Sequence, residues 1–152
     1  MRLFQIDKAI LLWGLINEEV LSLFKKEDLL GIPESRPYLY GLKNIFFLKN
    51  KDYNCFYLTD NMVGILFASG KIKSTYIFYK EKSDKGFLCP SGSLYVYLLS
   101  RLHNIEVNFF PQGELEKSLD KDASTLGGKP FVKKEDLKFV VLSQDELIGT
   151  NL

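Results

Sequence analysis

The chain has little histidine and cysteine, two residues that enzymes often use for acid–base, metal or redox chemistry. Its 152 residues include one histidine, His103, and two cysteines, Cys55 and Cys89, which form no CxxC pair. This cysteine usage favours neither a zinc site nor a disulfide framework, and it fits a reducing cytoplasm. His103 falls where a helix is predicted to end, so a capping or surface role is favoured over a catalytic one. Neither a metal nor another cofactor is therefore expected.

Motifs for nucleotide and nucleophile chemistry are also missing. The sequence has no GxGxxG, no GxxxxGK and no GxSxG, and Gly127-Gly128-Lys129 lacks the preceding strand of a phosphate loop. The apolar run from Ala9 to Ile16 is too short to span a bilayer and is predicted to be a core strand. Internal repeats are absent, which excludes a solenoid.

Charge is balanced over the chain but uneven along it. Lys and Arg number 20 against 19 for Asp and Glu, so no strong global field draws the protein to nucleic acid. Residues 61–110 hold six basic and three acidic side chains, whereas 111–152 hold six and eight. Surface lysines are more often solvated than bound, but those of the basic stretch are the best placed to contact phosphate. They are Lys71, Lys73, Lys80, Lys82 and Lys85.

The segment QGELEKSLDKD, residues 112–122, is acidic, with two lysines interleaved. Such a charged segment is usually a solvated surface loop. The other interpretation is a docking loop that enters a basic pocket on a partner. Phe and Tyr together number 20, and most alternate with aliphatic residues, which favours core packing over a stacking platform for RNA bases.

Hydrophobic periodicity predicts an α+β fold with a small mixed N-terminal lobe over residues 1–82 and a C-terminal lobe over 83–152 that ends in a β-hairpin. The charged stretch 81–86 marks the predicted boundary. Asn17 and Thr59 are expected to cap helices, and Gly70 is expected to close one. Strands are predicted within 3–16, at 45–48 and 55–58 as a hairpin, at 72 and 75–79, and in 105–110, 137–142 and 147–152. Helices are predicted over 17–28, 59–70 and 93–104.

Four segments, taken in order, resemble the archaeal-type tRNA-splicing endonuclease family. NEEVLSLFKKEDLLGIP is similar to the acidic helix of the family's N-terminal lobe, and LTDNMVGILFASGKI is similar to its next helix and Gly-Lys exit, without the usual Glu-Ala pair. SLYVYLLSRLHNIEV resembles the helix and strand that open the C-terminal lobe, and DLKFVVLSQDELIG resembles the final strand and hairpin. The resemblance implies a nuclease-like C-terminal lobe.

The resemblance further implies a structural, non-catalytic subunit of a tRNA-intron endoribonuclease. The family cleaves RNA with a tyrosine, a histidine and a lysine, but here no histidine follows His103 and no tyrosine follows Tyr97. Lys138 alone matches, so it is a weak catalytic candidate. The implied partners are a catalytic endonuclease subunit, in a heterodimer or a dimer of heterodimers, and precursor tRNA bound through that complex. Candidate partner contacts are Glu114, Glu116, Asp120, Asp122, Phe139, Val141, Leu147 and Ile148, and candidate RNA contacts are Lys71, Lys73, Lys82 and Lys85.

The residues themselves leave two other functions open. One is a stand-alone protein-interaction or adaptor module with no role in RNA cleavage. The other is an active nuclease that uses Lys138 with a non-standard set of partner residues. The sequence therefore leaves open whether the chain is an enzyme.

Overall fold

A computed structural model of the chain describes residues 7–114, 125–126, 129–130 and 145–149. The elements alternate between strands and short helices. In chain order they are β1 (Ala9–Trp13), a 3-10 helix (Glu18–Leu23), β2 (Leu30–Pro33), α1 (Tyr40–Asn50), β3 (Cys55–Leu58), a 3-10 turn (Asp60–Met62) that continues into α2 (Val63–Ala68), β4 (Ile72–Tyr79), β5 (Glu81–Ser83), β6 (Gly86–Cys89), α3 (Ser93–Leu102), β7 (Val107–Pro111), β8 (Thr125–Leu126), β9 (Lys129–Pro130) and β10 (Glu146–Gly149).

Five parallel strands form the central sheet, in the order β3-β2-β1-β4-β7. Ile10 of β1 pairs with Leu30 of β2, and Leu11 of β1 pairs with Thr75 of β4. The chain first moves outward from β1 through β2 to β3, and it then returns to lay β4 on the other side of β1. The strand order therefore reverses between β1 and β4, which makes this pair the topological switch point.

Helices cover both faces of the sheet, and the sequence of β1 reflects this. The segment AILLW is buried at all five positions, as expected for a parallel strand that is apolar on both sides. Ala9, Leu11 and Trp13 belong to a core cluster shared with α2 and α3. Ile10 and Leu12 belong to a second cluster shared with α1 and the 3-10 helix. We call these two layers the α3 side and the α1 side.

The parallel central sheet is accompanied by a small antiparallel sheet in the order β10-β6-β5. This combination confirms the predicted α+β class. The second strand of the predicted terminal hairpin is β10, which pairs with β6, whereas the strand predicted at 137–142 lies outside the described residues. β7 pairs with β4, so one sheet takes strands from both sides of residue 82. The division into lobes at that residue stays a prediction.

The predicted hairpin over residues 45–58 is wrong, because its first half is helical. Ile45 and Leu48 are buried within α1, whereas Phe46 between them is 50% exposed. That spacing of buried positions is helical. The aromatic and β-branched composition of IFFL favours a strand locally, and the packing of α1 against the sheet outweighs this preference. β2, α1 and β3 thus form a crossover between parallel strands.

Several local predictions are confirmed. Asn17 accepts a hydrogen bond from the backbone N–H of Glu19 over 3.1 Å, as an N-cap does. Gly70 follows α2 with a φ of 68°, the left-handed conformation expected of it. α3 begins at Ser93, and the predicted strand face of β7 packs against the α3 side.

Other boundaries differ from the prediction. The helix predicted over 17–28 is a 3-10 helix that ends at Leu23. Thr59 holds the N-cap position, but its hydroxyl donates to Asn61 Oδ1 rather than accepting from the backbone. The charged stretch 81–86 forms β5 and the turn into β6 instead of an open linker. In the part of the chain that the structure describes, every helix is too short or too polar to cross a lipid bilayer.

Candidate functional site

The candidate site is the region at the carboxyl ends of β1 and β4, which we call the switch-point crevice because the strand order reverses there. Ligands of open parallel sheets bind outside the carboxyl ends of the strands, where the strand order reverses. Here the chain leaves β1 through Gly14, which has a φ of 93°. A Cβ on Gly14 would lie 3.0 Å from the carbonyl oxygen of Phe78 and 3.5 Å from Pro90. Glycine therefore allows the two strand ends to approach closely.

A buried amide of α1 fixes the segment that leaves β1. Asn44 is fully buried, and its Nδ2 donates to the carbonyl oxygen of Gly14 over 2.7 Å. Its Oδ1 accepts from the N–H of Ile16 over 3.1 Å. The side-chain nitrogen and oxygen of Asn44 thus both form hydrogen bonds, and each satisfies one buried backbone group. One wall of the crevice is therefore fixed by α1.

The loop between β2 and α1 forms the α1 side of the crevice. Asp60 accepts hydrogen bonds from the backbone N–H groups of Ser35, over 2.8 Å, and Arg36, over 2.9 Å. Burial raises the pKa of the Asp60 carboxyl above its ordinary value, against the opposite effect of these hydrogen bonds. Ser35 and Leu39 both have a φ of 55°. Such backbone conformations persist where the surrounding structure imposes them, and they cluster at functional sites.

Lys80, the residue after β4, brings a positive charge to the crevice. Its Nζ lies 2.9 and 3.1 Å from the two carboxylate oxygens of Asp145, and 4.4 Å from the ring centre of Tyr38. Tyr38 stacks on Tyr40 with ring centroids 5.1 Å apart. The side chains of Lys80 and Asp145 are 22% and 25% exposed, so water and salt screen this pair less than a fully exposed one.

These surroundings keep the ammonium group of Lys80 and the hydroxyl of Tyr40 protonated at neutral pH. Burial alone lowers the pKa of Lys80, but the hydrogen bond to Asp145 and its negative charge outweigh burial, so the pKa is raised. Burial also raises the pKa of the Tyr40 hydroxyl. A protonated lysine is neither a nucleophile nor a base, and a protonated tyrosine is a hydrogen-bond donor. Lys80 and the tyrosine hydroxyl are therefore suited to hold a polar group, or an anionic group that takes the place of the Asp145 carboxylate beside Lys80.

The amino end of α3 forms the other side of the crevice. Glu146, the first residue of β10, accepts from the N–H of Gly92 over 3.0 Å and from the N–H of Leu94 over 2.7 Å. These backbone groups have no partner within the helix, and the helix dipole favours a negative charge beside them. Gly92 has a φ of 89°, and a Cβ there would lie 2.4 Å from Cζ2 of Trp13. The end of β1 and the start of α3 are thus in direct contact.

The site residues predicted from the sequence do not come together. Lys71 and Lys73 lie at the amino end of β4, whereas Lys82 and Lys85 lie on the β5–β6 hairpin beyond its carboxyl end. Lys73 also pairs with Asp28 over 3.2 Å. The four lysines therefore form no single patch for RNA, and their roles stay predictions.

The partner-contact candidates have different surroundings. Glu114 and Leu147 are exposed, but Ile148 is 1% exposed and lies in the core of this chain. The remaining candidates lie outside the described residues: Glu116, Asp120, Asp122, Lys138, Phe139 and Val141. Within the described ranges, no three His, Cys, Asp or Glu side chains are grouped as a metal site would require.

The residues that converge in the crevice were not predicted from the sequence. Tyr38 and Tyr40 stand in a turn-rich stretch with no periodic signal, and Asp145 and Glu146 look like an ordinary polar turn. Lys80 was one of five lysines without a feature to separate it. The sequence did contain one signal, which is that Lys80 directly follows the aromatic and β-branched strand β4. Binding residues gather at the carboxyl ends of parallel strands.

The strand order gives the central parallel sheet a doubly wound arrangement, and the separate antiparallel β10-β6-β5 sheet keeps the domain in the α+β class. The sequence matches no family model and no curated protein. Among solved structures, the chain is similar to 5-methylthioribose 1-phosphate isomerase from Pyrococcus horikoshii OT3, with a TM-score of 0.57 and 16% identity over 72% of this chain and 37% of that one.

Two translation initiation factor structures share the fold as well. The delta subunit of eIF-2B from A. fulgidus has a TM-score of 0.60 and 14% identity, over 86% of this chain and 46% of that one. eIF-2B from P. horikoshii OT3 has a TM-score of 0.56 and 16% identity, over 76% of this chain and 46% of that one. At such identities the likeness establishes the fold alone. The chain spans less than half the length of each of these proteins.

The resemblance to tRNA-splicing endonucleases is therefore wrong, and so are the function and partners that it implied. The three solved structures described above, which share this fold, are an isomerase and two eIF-2B proteins. The misleading segment was LTDNMVGILFASGKI, whose cap, helix and Gly-Lys exit form the crossover from β3 to β4. A capped helix that ends at a glycine before a strand is common to many α/β folds, so it does not identify a family. The corrected assignment excludes a structural endonuclease subunit with a catalytic partner and precursor tRNA.

Proposed function

We propose that this chain is a small-molecule-binding domain whose ligand occupies the switch-point crevice. The main support is the convergence of Lys80, Tyr38 and the amino end of α3 at the place where parallel α/β sheets bind their ligands. Lys80 attracts and holds a polar or negatively charged group, because it stays protonated at neutral pH. The stacked rings of Tyr38 and Tyr40 offer a flat surface beside it.

A phosphorylated sugar is the first ligand class to test, since one protein with a similar fold is, by name, an isomerase of 5-methylthioribose 1-phosphate. We propose binding rather than catalysis for the described residues. Burial raises the pKa of the Cys89 thiol to about 12 and also raises the pKa of Cys55, so both are poor nucleophiles. His103 stacks on Phe67 at the far end of α3, away from the crevice.

Thermal-shift and NMR titrations with sugar phosphates, nucleotides and their unphosphorylated counterparts test this function. We expect at least one compound to bind saturably and to shift the ring resonances of Tyr38 and Tyr40. Lys80→Met is expected to weaken that binding about tenfold or more, because the ammonium group is lost. Lys49→Met removes an exposed lysine of α1 and is the matched control. Binding by no compound, or equal binding by the two variants, contradicts the proposal.

A second candidate function is pairing of two copies of this chain through one face of α3. Tyr95, Leu98 and Leu102 lie on this face and are 41%, 52% and 74% exposed, and Ile65 of α2 is 51% exposed. A Cβ on Gly64 would lie 3.1 Å from the Tyr95 hydroxyl, so the apolar stripe continues from α3 onto α2. Exposed apolar patches mark interaction surfaces, and one stripe can pair with its own copy about a two-fold axis.

Sedimentation analysis of the natural sequence and of Leu98→Glu tests the pairing. We expect the natural chain to have the mass of a dimer and Leu98→Glu to be monomeric with unchanged far-UV circular dichroism. A natural chain that stays monomeric at the highest soluble concentration contradicts this second function and leaves the first unaffected.

We also propose that the protein acts in the cytoplasm. Cys55 and Cys89 are both free thiols, and Cys89 is buried. Reducing compartments keep thiols in this state.

A further inference from the structure

Two carboxylates that are adjacent in the chain occupy the electropositive groups of the switch-point crevice. Lys80 donates to both oxygens of Asp145, over 2.9 and 3.1 Å. Glu146 accepts from two backbone N–H groups at the amino end of α3, over 3.0 and 2.7 Å. An anionic ligand makes the same contacts with a lysine and a helix amino end. The chain's own carboxylates thus stand where the charged oxygens of such a ligand would bind.

The two carboxylates reach opposite sides of the sheet. Asp145 contacts Lys80 on the α1 side, where the ammonium lies over the ring of Tyr38. Glu146 contacts Gly92 on the α3 side. Successive side chains of an extended chain point in opposite directions, so two neighbouring residues can contact groups on the two sides of the crevice.

A second observation points to a ligand at the same place. Trp13 is 1% exposed, and its Nε1–H has no hydrogen-bond partner among the described residues. The indole lies against the start of α3, since a Cβ on Gly92 would be 3.3 Å from Cε2, the carbon bonded to Nε1. A buried donor without a partner is costly. Glu146 uses one oxygen for each backbone N–H, whereas a phosphate monoester has three terminal oxygens and can also accept from Trp13.

We infer that Asp145 and Glu146 form an intramolecular carboxylate clasp, which a phosphate-bearing ligand displaces when it binds. The inference rests on the proposed function, and it adds how the chain's own carboxylates regulate the site. β10 stays in place during the exchange, because Ile148 is 1% exposed and pairs with Phe87 of β6. The two side chains therefore move while the strand remains. A tethered competitor acts at high effective concentration and lowers the apparent affinity of the ligand.

The test is a titration of the ¹⁵N-labelled protein with inorganic phosphate. In the natural chain we expect the Trp13 indole and Leu94 amide resonances to shift saturably. Glu146→Gln removes the competing charge, so it is expected to bind phosphate about tenfold more tightly or better. Glu81→Gln removes an exposed carboxylate of β5 and is expected to leave the affinity unchanged. Equal affinity of the natural chain and Glu146→Gln overturns the clasp.

The outcomes separate the clasp from the proposed function. If phosphate binds both chains equally and Lys80→Met weakens that binding, the clasp is wrong and the crevice is still a ligand site. If neither phosphate nor any compound of the sugar panel binds, both are wrong. Asp145→Asn is the second variant, for use if Glu146→Gln fails to fold. It keeps the Glu146 carboxylate that caps α3. It is also expected to tighten phosphate binding, and an unchanged affinity counts against the clasp.

Discussion

The side-chain amide of Asn44 hydrogen-bonds the carbonyl oxygen of Gly14, 30 residues earlier in the chain, over 2.7 Å. The same side chain accepts from the N–H of Ile16. This contact joins α1 to the point where the chain leaves β1. It therefore sets the shape of the switch-point crevice as well as contributing to stability.

Asn44→Leu is expected to lower the free energy of unfolding by about 3 kcal/mol, because leucine keeps the volume but leaves two buried backbone groups without partners. Urea denaturation followed by circular dichroism measures the change. Asn50→Leu, at the exposed end of α1, is the control and is expected to stay within about 0.5 kcal/mol of the natural chain. A similar small effect for Asn44→Leu would show that the two hydrogen bonds are absent.

Gly92→Ala is expected to destabilise the protein by about 3 kcal/mol or more. Its left-handed backbone disfavours alanine, and the new Cβ would overlap the indole of Trp13, 2.4 Å away. Gly70→Ala isolates the backbone effect, because Gly70 is also left-handed but has no atom within 4 Å of a Cβ. It should cost about 1 kcal/mol.

Trp13 is the single tryptophan of the chain, so its fluorescence reports on the site during unfolding of both glycine variants. We expect a changed native emission spectrum in Gly92→Ala and an unchanged one in Gly70→Ala. Equal destabilisation by the two substitutions would mean that the contact between β1 and α3 is looser than described.

Cys89 is expected to resist alkylation in the folded protein at pH 8. Burial raises the pKa of its thiol from 9.0 to about 12, so on the order of one molecule in 10⁴ carries the thiolate. Cys55 is partly exposed and should react first with iodoacetamide, followed by mass spectrometry. In guanidinium both should react at similar rates. Faster labelling of Cys89 than of Cys55 in the folded chain would contradict the burial.

The same thiol has a consequence for stability at high pH. The folded chain keeps the Cys89 proton up to about pH 12, whereas the unfolded chain loses it near its ordinary pKa of 9.0. The folded state therefore binds more protons between these values, and stability falls as pH rises through this range. Cys89→Ala should show a weaker fall over the same pH range, measured by denaturation midpoints.

Much of the local structure was readable from the sequence. Asn17 caps a helix through a residue two positions away, and Gly70 ends a helix through its own backbone conformation. The start of α3 at Ser93 follows from the spacing of the apolar residues just after it. Such features depend on contacts between chain neighbours, which the sequence displays directly. The buried run AILLW was likewise identified as a core strand.

The arrangement of the strands was not readable in the same way. A parallel pair such as β1 and β4 depends on contacts between residues far apart in the chain, for which periodicity carries no signal. The same limit hid the site, because Lys80 and Asp145 become neighbours through the fold and are 65 residues apart. The mistaken family followed from four segments taken in order, none of which is specific to one fold.

The position of β1 in the sheet also affects the nascent chain. Leu11 has two partners in the sheet, Gly31 of β2 and Thr75 of β4, and Thr75 is synthesised much later than Gly31. At on the order of ten residues per second, one edge of AILLW lacks its partner for several seconds. Unpaired apolar strand edges are prone to aggregation. We therefore expect AILLW to be a binding site for a ribosome-associated chaperone during synthesis.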